Sequence, residues 1–556
     1  MAEIVKVYCE NSGSELFVNM GALLKEVAGI LALPSERPFI AAYVNNRLRE
    51  LSYRIFDPVS IRFIDITHFE GIRVYERTMF FTLDKAVHDL FPDNKLHIKH
   101  SVSRGFYCEL DGVDKVTPEM VEQIKRRMAE LVAQDVPIVN QRLLTSEVEE
   151  LYTRMGYDDK LELLRTRPRL YQTVYSLANI YGNFYGALAL STGALELYDI
   201  RSYYNGLYFA GPDRRKPSEL VGMVPQDKMF DVFKEYKSWT AVMGVSNIGS
   251  LNAKLLGGET GELVRIAEAF HEKKIASIAD AIDKANRERN VKLIFISGPS
   301  SSGKTTFAKR LSIQLRILGL TPLLISLDNY FVDRDQTPRD ETGDYNYETL
   351  EAIDVAKFNE DLQSLLDGNS IRLCSYDFLS GTRRFDGAPC ALAPRGVVIV
   401  EGIHGLNPRL TAGIDDKYKF KIYASALTSI SLDNLSRIST TDNRLLRRIV
   451  RDNRTRGTDA RETLRRWESV RRGEDAYIFP YQENADIMFN SSLFYEISVL
   501  RAFAEPLLHE IPNNVPEYGE AIRLLKFIDN FIPVQPDEIP PTSILREFIG
   551  GSSFKY

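Results

Sequence analysis

The segment FISGPSSSGKTTFAKRL, residues 295–311, carries an apolar strand into a glycine-framed loop and out into a helix. Gly298 and Gly303 bracket a GxxxxGK[ST] pattern, whose turn wraps successive backbone N–H groups around a concave anion site. A helix that begins at Lys304 aims its positive dipole end into the same space. Lys304 then reaches the β- and γ-phosphates of a nucleotide, and the Thr305 hydroxyl takes one coordination position of Mg²⁺. Ser300, Ser301, Ser302 and Thr306 add N–H and hydroxyl donors to the cradle. The flanks agree, because VKLIFIS before the loop is β-rich and TTFAKRLSIQLRIL after it has helical periodicity. The loop reads as a nucleotide site with a place for Mg²⁺.

The bulk composition sets the frame around this site. A chain of 556 residues is too long for one core and predicts three or four domains. Net charge of −6 and an isoelectric point near 5.9 argue against a broad nucleic-acid surface. Cys9, Cys108, Cys374 and Cys390 are scattered without metal-like spacing and read as reduced thiols. The N-terminus lacks a signal-peptide pattern and no segment reaches 18 apolar residues, so a cytoplasmic protein without a membrane contact is expected.

From 291 onward, apolar strand candidates alternate with helices: KLIFIS, PLLISL, SIRLCSY, GVVIVEGI, KFKIYA and ADIMFN. Alternation of this kind predicts an α/β domain, a parallel sheet with helices on both faces, and ligand chemistry at the strands' carboxyl ends. Residues 1–68 mix short strands with one helix, and 69–240 read as α+β, with helices at DKAVHDLF and PEMVEQIKRRMAELVAQ and strand-like RSYYNGLYFA. VMGVSNIGSLNAKLLGGETG reads as a Gly/Ser/Asn-rich break before a long helix, so 241–290 is a linker plus helix. The domains are thus placed at 1–68, 69–240 and 291–495, with a helical C-terminal extension at 496–556.

A nucleotide loop alone fits switches, motors and kinases, so the phosphate acceptor has to be read elsewhere. PLLISLDNYF ends on Asp328, one strand along from the loop, where a carboxylate can take a proton from an attacking hydroxyl. VVIVEGIHG places Glu401 at the end of a buried strand, the position of an acidic Mg²⁺ partner. Nine arginines crowd into residues 443–467. The front of this run has no interleaved carboxylate to pair with them, which favours an arginine lid over a triphosphate.

These residues resemble the uridine kinase and phosphoribulokinase family of P-loop small-molecule kinases. SLDNYF is similar to the family's S-x-D-x-F/Y motif, which implies that Asp328 is the catalytic base. YNYETLEAID is similar to its sugar-binding segment and puts Glu348 at the sugar carboxylate. YDFLSGTRR is similar to its nucleobase loop: the tyrosine falls on Tyr376 and the arginine on Arg383, but the base-binding histidine falls on Gly381. RRIVRDNRTRGTD is similar to its lid, matching Arg448, Arg451 and Arg456, while a further arginine falls on Thr458 and a base-reading glutamine on Arg466. The resemblance implies that Lys304, Arg451 and Arg456 hold the phosphates, that Thr305 and Glu401 hold Mg²⁺, and that Glu348, Tyr376, Arg383 and Arg448 face the acceptor.

Residues 1–68 resemble a TGS domain, carried by AAYVNNRLRELSYRI and PVSIRFIDI, and 69–240 resemble the editing-type second domain of threonyl-tRNA synthetases. Editing there needs imidazole or thiolate groups, which here fall on Arg77, Phe81, Phe209 and Asp213, so this half is expected to be inactive. His97 and His100 nearby read as ordinary polar histidines. The sequence therefore predicts an ATP- and Mg²⁺-dependent kinase acting on a small-molecule hydroxyl, a nucleoside first. Another sugar or polyol as acceptor stays open, as does an RNA- or tRNA-binding regulator that uses ATP as a switch. An RNA contact through the TGS-like domain and a homo-oligomer are both left open.

Overall fold

The computed structural model describes residues 3–167, 169–341, 343–377 and 380–556. Phe378 and Leu379, within the YDFLSGTRR segment, lie outside the described residues.

Leu293–Ser297 is buried at every position, and its run of Leu, Ile and Phe without alternating polar residues suits a strand covered on both faces. It is the middle strand of a five-stranded, all-parallel sheet. The order is Thr321–Ser326, Gly396–Glu401, Leu293–Ser297, Lys419–Ser425, Ile487–Asn490. Helices Thr260–Arg289, Lys304–Ile317 and Thr440–Arg456 share one core with Ile294 and Ile296. Leu293 and Phe295 face a second core with Phe358, Leu362 and Leu365 of helix Val355–Leu366. The expected α/β layering is present.

Two details of the sheet differ from the sequence reading. SIRLCSY contributes no strand to it: Ile371–Arg372 pairs antiparallel with Pro389–Cys390, and Ser375–Asp377 with Thr382–Arg384. Its polar residues at 370, 372 and 375 could not be buried on both faces of a parallel sheet. The Asp328 strand is also not adjacent to the loop strand, because Gly396–Glu401 lies between them, with Glu401 in register with both Ile296 and Ser326.

The stretch read as a break at 242–261 is not one. Helix Ile248–Leu256 forms there, with Asn247 capping it by accepting from the Ser250 N–H at 2.9 Å. Its glycines and polar residues occupy caps and turns, while Ile248, Leu251 and Leu255 fall on one face and enter the core of the parallel sheet.

The front half contains a mixed five-stranded sheet, ordered Ser14–Asn19, Ile4–Cys9, Val59–Ile64, Ala41–Val44, Arg47–Glu50, with helix Leu24–Leu31. After it, helix Phe69–Leu90 is largely buried and absorbs DKAVHDLF as its last turns. RSYYNGLYFA is a hairpin, Asp199–Tyr203 with Gly206–Ala210, in a four-stranded sheet completed by Gly105–Leu110 and Leu96–Val102. The halves interlock: Leu435, from the segment after Lys419–Ser425, is buried in the core of this second domain. The Ile98 N–H donates to the Asn434 carbonyl at 2.8 Å, and Lys160 pairs with Asp433 at 3.2 Å. Among the described residues, no helix is long and apolar enough to cross a membrane.

Candidate active site

The loop after Leu293–Ser297 is tightly enclosed. A Cβ on Gly298 would stand 1.9 Å from the Ala424 carbonyl oxygen, and Gly303 has φ +77°, so both positions require glycine. Lys304 begins the helix and folds its ammonium back onto the Gly298 and Pro299 carbonyls at 2.9 and 3.1 Å. Ser301 and Ser302 are buried, and their hydroxyls find no partner among the described residues. Those hydroxyls, with the loop N–H groups, are the donor set a phosphate chain needs.

Glu401 ends its strand beside the loop. It accepts from the Ser326 hydroxyl at 2.8 Å and the Thr305 hydroxyl at 3.4 Å. Burial, then the nearby Asp328 charge, pushes its carboxyl up to about 7. Asp328 sits in the 3₁₀ turn Leu327–Tyr330 that follows its strand. The hydroxyl of Thr305 and the carboxylate of Glu401 are hard oxygen donors that fit Mg²⁺, and the Asp328 carboxylate lies near Glu401.

Among the residues expected to face an acceptor, Glu348 is raised to about 7 by burial and then the neighbouring Glu474, with Arg448, Lys304 and Asp328 also acting on it. Its Oε2 has no hydrogen-bond partner among the described residues. A Cβ on Gly473 would lie 2.2 Å from the Glu348 Cβ, so a mid-helix glycine admits this carboxylate. Tyr376 is buried opposite Arg383 in the small hairpin, its ring 5.5 Å from Phe331, and burial raises its hydroxyl to about 12. Arg383 is paired with Asp354 at 2.9 Å. Gly381 has φ +71°, and the Arg334 guanidinium packs 2.6 Å from where its Cβ would be. An arginine thus lies against the position of the base-binding imidazole.

Five of the nine arginines fall into two groups with different work. Arg444 and Arg447 are buried and paired with Glu474 and Glu496, carboxylates from later helices that the local sequence does not reveal. They also donate to the Ser300 and Ser301 carbonyls at 3.1 and 3.4 Å, bracing the loop from behind. The front of the run is therefore structural, which corrects the reading of all these arginines as a lid. Arg448, Arg451 and Arg456 gather on the single carboxylate of Asp452 at 3.2, 2.7 and 3.7 Å. Arg451 first, then burial, lowers Arg456 to about 10. Arg448 donates to the Ser300 hydroxyl at 2.9 Å, on the phosphate loop as well as near Glu348. Arg466 is turned onto Glu462 of its own helix.

Thr306 differs from expectation. Its N–H and hydroxyl donate to Glu547 at 3.2 and 2.6 Å, and its hydroxyl lies 2.8 Å from the Tyr556 hydroxyl. The C-terminal segment thus occupies the donors read as part of the phosphate cradle. No local sequence signal links residues 241 positions apart.

In the front half, Arg77 donates to the Ala187 carbonyl at 2.9 Å, Phe81 packs on Phe184 at 5.3 Å, Phe209 is buried, and Asp213 pairs with Arg104 at 3.1 Å. His97 lies 2.6 Å from the Asp111 carboxylate, and His100 stacks on Phe233, where burial lowers it to about 3. Among the described residues, no group of three or more His, Cys, Asp or Glu could hold a metal.

The profile of the Phosphoribulokinase / Uridine kinase family matches residues 293–497. A uridine kinase of Staphylococcus aureus (strain JH9) is 30% identical over 197 residues, 35% of this chain and 86% of that one. The chain belongs to the phosphoribulokinase and uridine kinase family. A threonine–tRNA ligase of Pelobacter propionicus is 27% identical over 209 residues, 38% of this chain and 33% of that protein. The match falls on the N-terminal region and fits the TGS-like and editing-like domains; the chain spans about a third of the length of such ligases. The structure of a possible uridine kinase from Bacillus stearothermophilus is 18% identical and aligns with 38% of this chain and all of that one, at a TM-score of 0.25.

Proposed function

We propose that the chain transfers the γ-phosphoryl group of ATP to a small-molecule hydroxyl, with a nucleoside as the first candidate acceptor. The observation that supports this best is the meeting of Asp328, Glu401 and Thr305 beside the phosphate loop, with Glu348 close enough to feel the charges of Asp328 and Lys304. ATP would supply the phosphoryl group, and Mg²⁺, held by Thr305 and Glu401, would neutralise charge on it. Asp328 takes the proton from the acceptor hydroxyl. Glu348 and Tyr376 orient the acceptor, and Lys304, Arg451 and Arg456 balance negative charge on the transferring group. Catalysis is positioning and electrostatics, with no covalent intermediate on the protein.

A sugar or polyol acceptor is favoured by one feature, the Arg334 guanidinium packed against Gly381. A pocket that lacks the hydrogen-bond partners of a base loses discrimination for it. Incubation with ATP, Mg²⁺ and a panel of nucleosides and sugars, read by mass spectrometry, separates the acceptors. A mass gain of one phosphoryl group on a nucleoside is expected. No phosphorylation of any acceptor, together with tight salt-sensitive RNA binding, would replace the kinase reading with that of an ATP-switched regulator.

A further inference from the structure

A cleft of about 630 Å³ opens between the small N-terminal sheet, the second domain and helix Tyr518–Ile528, and none of the residues gathered at the phosphate loop lines it. We propose that this cleft is a second ligand site that binds a small phosphate ester. Its wall holds donors that nothing satisfies. Gln172 is 4% exposed, and its Nε2 finds no partner among the described residues. The Ser436 hydroxyl and the Nε groups of Arg49 and Arg167 are in the same condition. A buried polar group without a partner costs about 1–3 kcal/mol, and native proteins carry few of them. The four residues that carry them all line this one cavity, where an acceptor-rich ligand would engage their side chains.

The charge points the same way. Arg49, Arg167, Arg169 and Lys526 line the cleft, against the carboxylates Glu50 and Asp433. Glu50 is engaged by Tyr175, by Asn140 at 3.1 Å and by Ser52 at 3.4 Å. Asp433 is engaged by Lys160 and by the N–H groups of Leu435 and Ser436 at 2.9 and 2.7 Å. Asp529, beside the cleft, is shared among Arg167, Arg169 and Arg501. Arg49 and Lys526 have no carboxylate partner among the described residues, and Arg49 is held over the Tyr53 ring at 4.8 Å. A fixed guanidinium and a second unpaired cation at the cleft suit the compact charge of a phosphate. Burial first, then Arg49 and Arg47, holds Lys526 below its usual range, so these cations repel one another until an anion arrives. Arg49 and Arg167 are half-buried and Arg169 and Lys526 exposed at the cleft, and so local a group of cations in a chain of net charge −6 favours a small ester over an extended nucleic acid.

The test uses the full chain with its phosphate loop saturated by a non-hydrolysable ATP analogue and Mg²⁺. Ribose 5-phosphate, 3-phosphoglycerate and inorganic pyrophosphate are titrated calorimetrically, with ribose as the uncharged control. Saturable binding of at least one phosphate probe, and none of ribose, is expected. The double variant Arg49→Ala/Lys526→Ala should weaken that binding about tenfold or more, the scale of one lost charge-assisted contact. Gln172→Leu removes the side-chain amide that carries the unsatisfied donor and leaves the cations in place, so it should weaken binding several-fold while the ligand-free chain melts no lower than the parent. Absence of saturable binding for all three probes, or binding unchanged in both variants, overturns the proposal. So does tRNA binding that the double variant abolishes while no small probe binds.

Discussion

Asp328 and Glu348 are both carboxylates near Lys304, but their surroundings assign them different tasks. Asp328 stands in a turn at a strand's carboxyl end, where a general base has to be. Asp328→Asn should lower kcat by about 10²–10⁴ with nearly unchanged ATP affinity, measured by steady-state kinetics and nucleotide titration. Glu348 is instead raised from 4.5 to about 7, so the folded chain keeps a proton that the unfolded chain releases. Its contribution to stability is fully present below about pH 4.5 and is lost as pH rises through about 7. Urea unfolding of the ligand-free protein at pH 5 and pH 7.5 should therefore show a smaller loss of stability in Glu348→Gln than in the parent. An equal loss in both would remove Glu348 from the set of groups that titrate on unfolding.

At the scale of elements, the sequence reveals what is local and misses what is folded in from afar. The phosphate loop, its strand and its helix are legible because glycine spacing and apolar periodicity are contiguous. The Asp328 and Glu401 positions follow from strand ends. SIRLCSY misleads because a short apolar alternation says nothing of whether both faces are covered. Gly473 was a visible signal, a glycine inside a helix, although its partner Glu348 was not. Arg444 and Arg447 look unpaired in sequence because Glu474 and Glu496 come from other helices. Glu547 is the largest omission. It places a carboxylate on Thr306, while Arg454 of the arginine helix donates to the Glu547 and Phe548 carbonyls at 3.0 Å each. A carboxylate on donors of a phosphate cradle competes with a nucleotide for them. Glu547→Gln should therefore tighten ATP binding several-fold with little change in kcat, read as a lower KM for ATP. A raised KM would mean that Glu547 supports the nucleotide site.

At the scale of the whole molecule, the front half is joined to the kinase by a buried charge network. Arg73 and Glu70 of the long second-domain helix, Asp442 at the start of the arginine helix, and Glu520 and Arg523 of the C-terminal extension form it. Arg523 spans the group, 2.8 Å from Asp442, 2.7 Å from Glu520 and 3.6 Å from Glu70. Arg523→Met would leave three carboxylates to Arg73 alone, at a cost of about 3–5 kcal/mol if it behaves as other broken buried pairs. A urea midpoint unchanged by that substitution would show the network to be energetically idle. The same architecture bears on what the front half does. Arg77 and Phe81 are committed to Ala187 and Phe184, Phe209 lies in the core, and Asp213 is tied to Arg104. None offers the imidazole or thiolate that would hold a metal or activate water against an ester. The full chain should therefore release no amino acid from mischarged threonyl-tRNA above a protein-free blank, in an assay that follows the aminoacyl ester. Hydrolysis above the blank that disappears in Asp213→Ala would assign the front half a chemistry of its own and make the chain an enzyme with two activities.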